Sequence, residues 1–277
     1  MPFLAEMDPR TGFIAAGGLA GKGADLRTGY QAAKPFPHIV IDNFLPDDLI
    51  DLCVQEFPGH ALEDSVRYER DQERYKRQIN PEAMSPPVRG LFYAFNSRPF
   101  IGVVENITGI KGLIPGPYFA GGGFHEIGQG GHLSVHTDFN HHKPMNLERR
   151  VNVLIYLNRD WRDEFGGQLE LWSEDMARCE VSVAPLANRC VMFNTTSTSN
   201  HGNPQPVNHP AGITRKSIAL YYYTATWTGD EREHTTQFKA RPQSVDRFDW
   251  AVWRRELATD LTPPILMRAL RRGRARD

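Results

Sequence analysis

The sequence predicts a mainly β protein whose helices flank a central antiparallel core, and three observations carry that prediction. Between residues 118 and 226 the chain runs in short apolar or alternating stretches punctuated by Gly, Pro, Asn and Asp, the texture of a sandwich or barrel. Helical periodicity lies on either side of that region and is not interleaved with its strands, which excludes a doubly wound parallel sheet. The stretch from Val151 to Leu157 is almost wholly apolar, as a strand buried on both faces requires.

The elements follow in order. Residues 1–32 carry Gly17, Gly18, Gly21 and Gly23 and read as a loosely ordered arm or loops. The apolar run Pro37–Asp42 reads as a strand. Pro46 opens a helix in which Leu49, Leu52, Cys53 and Phe57 share one face. Residues 60–82 are dense in charge and read as a solvated helix or loop, with a lid over a site as the functional alternative. Helical spacing returns over 86–107. Strands are expected at Tyr118–Ile127, Leu133–His136, Val151–Asn158, Gln168–Trp172, Cys179–Val183, Arg189–Phe193 and Lys216–Thr226. Ser244 is an N-cap for a helix to Leu257. A short helix follows over Pro264–Leu270, and then comes an arginine-rich tail.

Composition narrows the function. The 277 residues suffice for a large buried core. The hydrophobic and charged fractions, 40% and 23%, are those of an ordinary globular chain. A net charge of −1 supplies no field for nucleic acid or an anionic membrane. Cys53, Cys179 and Cys190 form neither a zinc motif nor a disulfide framework. No apolar run approaches the roughly 18 residues of a membrane span, and residues 1–10 lack the pattern of a signal peptide. A soluble, cytoplasmic protein is the expectation.

The most informative segment is the run from His132 to Asn140. His136 and Asp138 are two apart, so on an extended backbone both side chains point to one side. A neutral imidazole and a carboxylate can then converge on one ion. His201 follows a later strand, beside Gly202, and Arg215 and Ser217 open the next strand. Two histidines and one carboxylate, with coordination positions left open, make the facial triad of non-haem Fe(II) oxygenases.

The stretch from His136 to Thr224 resembles the 2-oxoglutarate/Fe(II)-dependent oxygenase superfamily, in its prolyl-4-hydroxylase-like branch. The matching pieces are His136-x-Asp138, the strand from Arg149 to Asn158, Gly166-Gly167-x-Leu169, His201-Gly202-Asn203-Pro204, and Arg215-x-Ser217 leading into Tyr221-Tyr222-Tyr223. Phe36–Val40 and Phe44–Pro46 fit the start of the same domain. The resemblance implies a double-stranded β-helix, a jelly-roll or cupin-like core. It implies Fe(II) on His136, Asp138 and His201, and the distal carboxylate of 2-oxoglutarate on Arg215 and Ser217. A buried carboxylate needs a partner, and a planar guanidinium offers a two-pronged one. Lys216 faces the other way by strand alternation. The implied reaction consumes O2, releases succinate and CO2, and hydroxylates an unactivated C–H bond. Ascorbate is the accessory reductant such a resemblance brings into view. Related halogenases lack the carboxylate at the position of Asp138, so its presence favours hydroxylation. The substrate is either a small molecule, such as an amino acid derivative, or a prolyl residue in a protein. The competing readings are a cupin-like metal hydrolase and a non-catalytic binding module on the same fold; neither gives a reason for Arg215-x-Ser217.

On this reading residues 1–32 form an N-terminal arm, 33–230 the oxygenase domain with its N-terminal helices, and 231–277 a helical extension with a basic tail. Oligomeric state is not legible. Several residues carry weaker indications. Asn152 and Tyr156, on the buried strand, are candidate co-substrate contacts, with core packing the simpler role for Tyr156. One of His125 and Glu126 faces the pocket, the choice depending on register. His141 and His142 are candidate rim residues. Arg149 and Arg150 read as solvated charges at the start of a strand, with an anionic substrate group as the alternative. Gly166-Gly167 reads as a tight turn.

Overall fold

A computed structural model of the chain describes residues 1–15, 17–57, 65–244, 246, 249–250, 252–254 and 257. Its strands, in chain order, are β1 (His38–Ile41), β2 (Ser65–Tyr68), β3 (Glu73–Ile79), β4 (Ile114–Pro115), β5 (Gly123–Thr137), β6 (His141–His142), β7 (Leu147–Tyr156), β8 (Leu169–Trp172), β9 (Cys179–Val183), β10 (Cys190–Asn194), β11 (His201–Asn203), β12 (Arg215–Thr224) and β13 (Gln237–Phe238). The helices are α1 (Arg27–Ala32), α2 (Asp47–Gln55), α3 (Pro86–Phe95) and α4 (Arg98–Thr108). The strand order β1-β10-β7-β12-β5-β11-β8-β9 jumps repeatedly across the sequence. Every pair along it is antiparallel. This is the curled antiparallel sheet of a jelly roll, as the sequence predicts.

Strand β7 shows how the layers divide. Val151, Val153 and Ile155 join the main core cluster with α2, α3 and α4. The alternate residues face inward, Tyr156 and Leu154 packing in a second cluster with Leu169, Leu171, Val191 and Phe193. One face of the sheet is thus sealed by helices, and the opposite face lines the interior of the roll. Helical spacing over 86–107 resolves into two helices. Asn96 and Ser97 separate them, and Pro99 sits in the first turn of α4, where a missing N–H costs nothing.

Three expectations are corrected. First, residues 1–32 are packed and not a loose arm: Leu4, Met7, Ile14, Leu19 and Tyr30 belong to the main core. Tyr30 also donates a 2.6 Å hydrogen bond to Asn194. Second, within the charged stretch the described residues form the hairpin β2–β3, which pairs with β5, instead of a helix or loop. Charge density concealed the alternation: Arg77 is buried on the outer face of the sheet because Glu126 neutralises it, with Nε at 2.9 Å. Third, the two strands expected at 118–127 and 133–136 are one long strand, β5, interrupted at Gly128–Gly131 by a bulge and not by a turn. The remaining strands form within a few residues of their expected bounds.

Beyond β12 the chain returns to the site. β13 pairs with β5 so that Phe238 sits opposite His136. Trp250, 252–254 and Leu257 are helical, and Val252 is buried. The rest of the helix to Leu257, the helix over Pro264–Leu270 and the arginine tail lie outside the described residues. Among the described residues no helix is long and apolar enough to cross a membrane.

Candidate metal and co-substrate site

The inner face of the roll holds a cavity of about 280 Å3. At one end β5 and β11 run side by side with His136 directly opposite His201, and their rings lie 4.5 Å apart. Asp138 follows two residues after His136. Its Oδ1 is 3.6 Å from His136 Nε2 and its Oδ2 is 3.4 Å from His201 Nε2. The three ligand atoms lie within 4.8 Å of one another. Sequence spacing foresaw the His136–Asp138 pair, and strand pairing brings in His201 from a distant part of the chain.

Each imidazole is set for this work in the same way. The Nδ1 of His136 contacts the Ser134 carbonyl and the Nδ1 of His201 contacts the Ser199 carbonyl, both at 2.9 Å. A carbonyl only accepts, so each Nδ1 carries the proton and each Nε2 presents a lone pair inward. Desolvation, then the neighbouring His201, pushes the pKa of His136 down, keeping it neutral. Burial alone would raise the pKa of Asp138, but the Arg149 guanidinium and then the two histidines hold it well below the usual carboxylate range. Two imidazoles with Nε2 turned inward and an ionised carboxylate, oriented by outer hydrogen bonds, are the donor set a divalent transition metal takes.

Arg149 is the functional residue the sequence did not reveal. It is 2% exposed and not a solvated strand charge. Its Nη2 lies 2.9 Å from Asp138 Oδ2. Its Nε and Nη2 donate to Asn152 Oδ1 at 3.1 and 2.8 Å, and the guanidinium is flanked by the rings of Tyr221 and Phe139. Asn152 completes the clamp, donating to Asp138 Oδ2 at 2.8 Å. Spacing gave no signal: residues three apart on a regular strand face opposite ways, and Arg149 meets Asn152 where β7 and β12 slip register between Tyr222 and Tyr223. Arg150, by contrast, is partly exposed and pairs with Glu148, as a solvated strand charge should.

At the other end of the cavity lie Arg215 and Ser217, successive inward residues of β12. Arg215 is 4% exposed. Its Nε donates to Gly167 O at 2.7 Å and its Nη2 to the Tyr156 hydroxyl at 3.4 Å. No carboxylate among the described residues pairs with it, and desolvation lowers its pKa. Gly167 is in the left-handed region at φ 72, and a Cβ there would come within 2.9 Å of Arg215 Cδ. The Gly166-Gly167 turn therefore seats the guanidinium as well as reversing the chain. Lys216 points away from the cavity, over the Phe57 ring.

The register question at 125–126 is answered by pairing. His125, opposite Ser217, lines the cavity, and its ring contacts Gly121 O at 2.9 Å. Glu126 faces outward to Arg77 and Thr214. Burial pushes the His125 pKa down to about 3, with Lys76 adding to the effect. Tyr156 is fully buried and reaches the site only through Arg215. His141 stacks on Trp227 and His142 packs edge-on against Tyr223; neither lines the cavity.

Residues 122–223 match the model of the 2OG-Fe(II) oxygenase superfamily. The matched segment contains His136, Asp138, His201 and Arg215. The donor set described above fits the Fe(II) of that superfamily's description. The fold is shared with a prolyl hydroxylase from Trichoplax adhaerens solved with a hypoxia inducible factor peptide. The two are 18% identical over 76% of this chain and 94% of that one, with a TM-score of 0.55. A Pseudomonas putida prolyl-4-hydroxylase is similar at 20% identity, covering 73% of this chain and 98% of that one, with a TM-score of 0.51. The α-ketoglutarate-dependent epimerase SnoN of nogalamycin biosynthesis is similar at 12% identity, covering 81% and 92%, also with a TM-score of 0.51. No match was found among curated proteins.

Proposed function

We propose that this oxygenase hydroxylates an unactivated C–H bond of a small molecule, with Fe(II) held by His136, Asp138 and His201. In this reading Arg215 and Ser217 hold the distal carboxylate of 2-oxoglutarate. The observation that carries it is a buried guanidinium without an acidic partner among the described residues, sharing one cavity with a His–Asp–His cluster. An unpaired buried cation is costly, and a dicarboxylic co-substrate supplies the missing charge. A hydrolase or a plain metal-binding module leaves that arginine unexplained.

Fe(II) and 2-oxoglutarate, when bound, couple loss of CO2 from the oxo acid to oxidation of a C–H bond by O2. One oxygen atom enters the substrate and the other enters succinate, so the atoms balance. The chain's own residues bind, orient and exclude water. Ser134 and Ser199 carbonyls fix both imidazoles. Arg149 and Asn152 hold Asp138 by one oxygen. Tyr156 steadies Arg215 at the co-substrate end, so Tyr156 and Asn152 support the two ends of the site at one remove. Phe238, 5.6 Å from the His136 ring, covers the metal end. The free thiol of the exposed Cys179 suits a reducing, cytoplasmic setting.

The test is succinate release from 2-oxoglutarate under air with Fe(II), paired with equilibrium dialysis of Fe(II). Asp138→Ala should lose both metal retention and turnover while keeping its circular dichroism spectrum. Full turnover by that variant would remove the metal assignment.

A further inference from the structure

We infer that the cavity wall beside the metal cluster is a subsite for a zwitterion, the ammonium and carboxylate of a free α-amino acid. The inference rests on the oxygenase reading and names the substrate class for it.

Strands β3 and β11 flank β5 on opposite sides. Glu73 and Asn203 both sit opposite Leu133, so the three form one row across three strands, next to the His136–His201 row. All three line the cavity. One step further along, Lys76 and Arg215 both sit opposite Ile127, and these three line the cavity too.

Glu73 and Lys76 are three residues apart, and a regular strand would point them to opposite faces. They share a face because β3 and β5 slip register between Arg74 and Lys76. Tyr75 takes the left-handed conformation there at φ 49, opposite the bulge at Gly128–Gly131. A bulge beside a site re-aims side chains, and this one turns an acid and a base inward together. Their contact is 3.0 Å, with side chains only 9% and 12% exposed. Arg70 stands 3.9 Å from the other Glu73 oxygen. Lys76 also lies over the Tyr68 ring.

An independent observation points to a ligand. Asn203 is 3% exposed, and its Nδ2 has no hydrogen-bond partner among the described residues. A buried donor left unmade costs about 1–3 kcal/mol, and a carboxylate in the cavity would satisfy it. The wall therefore offers one acid, two bases and a free amide donor. A zwitterion complements that pattern, ammonium to Glu73 and carboxylate to Lys76, Arg70 and Asn203. A neutral peptide segment would cover the ion pair without replacing its solvation. Size agrees: about 280 Å3 is at the small end of ligand cavities and must also hold 2-oxoglutarate.

The experiment uses the full chain with Fe(II), 2-oxoglutarate and air. Succinate and oxygenated product are measured with each proteinogenic L-amino acid, with its N-acetyl and amide forms, and with a proline-containing peptide. At least one free amino acid should stimulate succinate release and gain one oxygen atom, with its blocked forms at least about tenfold poorer, as loss of one charge-assisted contact predicts. Glu73→Gln should raise KM for that amino acid about tenfold or more while narrowing the gap to the N-acetyl form. Asn203→Leu removes the orphan donor and keeps the fold, and should raise KM with little change in kcat. Blocked forms or the peptide working as well as free amino acids would overturn the inference. So would a failure of every free amino acid to stimulate while 2-oxoglutarate is still slowly consumed without substrate. If 2-oxoglutarate is neither bound nor consumed under any condition, the oxygenase reading itself falls and takes this subsite with it.

Discussion

Arg149 Nη2 lies 2.9 Å from Asp138 Oδ2, so a fully buried guanidinium holds the carboxylate that stands between the two histidines. The contact fixes one oxygen of Asp138 and leaves the other turned toward His136. It also explains why an acid buried among imidazoles stays ionised.

Breaking that pair by removing one partner strands the other. Arg149→Met should cost the metal-free fold about 3 kcal/mol, the usual size for a broken buried ion pair. The double variant Arg149→Met/Asp138→Asn should regain at least half of the loss, because no uncompensated charge remains. Urea unfolding of the four proteins completes the cycle. Additive losses would mean that Arg149 stabilises through its Tyr221 and Phe139 stacking instead.

Arg215 makes the opposite prediction. It is buried with no acid among the described residues to pair with, so Arg215→Met should stabilise the ligand-free protein by about 1 kcal/mol. The same change should abolish most of the rise in Tm that 2-oxoglutarate and metal produce in the parent protein. Thermal melts with and without co-substrate read both effects. A variant less stable in the free state, yet still protected by 2-oxoglutarate, would contradict the assignment.

Gly167 couples the turn to the same guanidinium. A methyl group there meets Arg215 Cδ at 2.9 Å on a backbone at φ 72. Gly167→Ala should destabilise by about 1–3 kcal/mol and raise KM for 2-oxoglutarate more than it lowers kcat. Steady-state kinetics with varied co-substrate provide the check.

His125 sets a pH dependence. Its folded pKa is pushed down to about 3 by burial and the nearby Lys76, whereas an unfolded histidine titrates near 6.5. Between those values the unfolded chain binds the extra proton, so stability falls as pH falls. From pH 7 to pH 5 this residue should remove about 2 kcal/mol. His125→Gln, whose amide can still donate to Gly121 O, should lack that share of the acid sensitivity. Equal pH slopes for the two proteins in urea titrations would refute it.

Much of this was readable before any coordinates. Residue chemistry at short range identified His136 and Asp138, since alternation along one strand places both on one side. The turn at Gly166-Gly167 and the outward face of Lys216 followed from the same local rules. The hairpin β2–β3 escaped notice because its charges are neutralised across strands, as Arg77 is by Glu126, and such partners are invisible along the sequence. Arg149 escaped for the same reason: beside Glu148 and Arg150 at the start of a strand it reads as solvated until its acid is found elsewhere.

The sequence by itself determined the fold class, from the periodicity of its strands, and the convergence of His136 and Asp138, from alternation along one strand; His201 and Arg215 came from the family resemblance. Only the tertiary structure decided that His136 sits opposite His201, that Arg149 belongs to Asp138, and that Glu73 and Lys76 share a wall. Those facts depend on register and bulges between strands distant in sequence, which are set by how the whole sheet buries its apolar face.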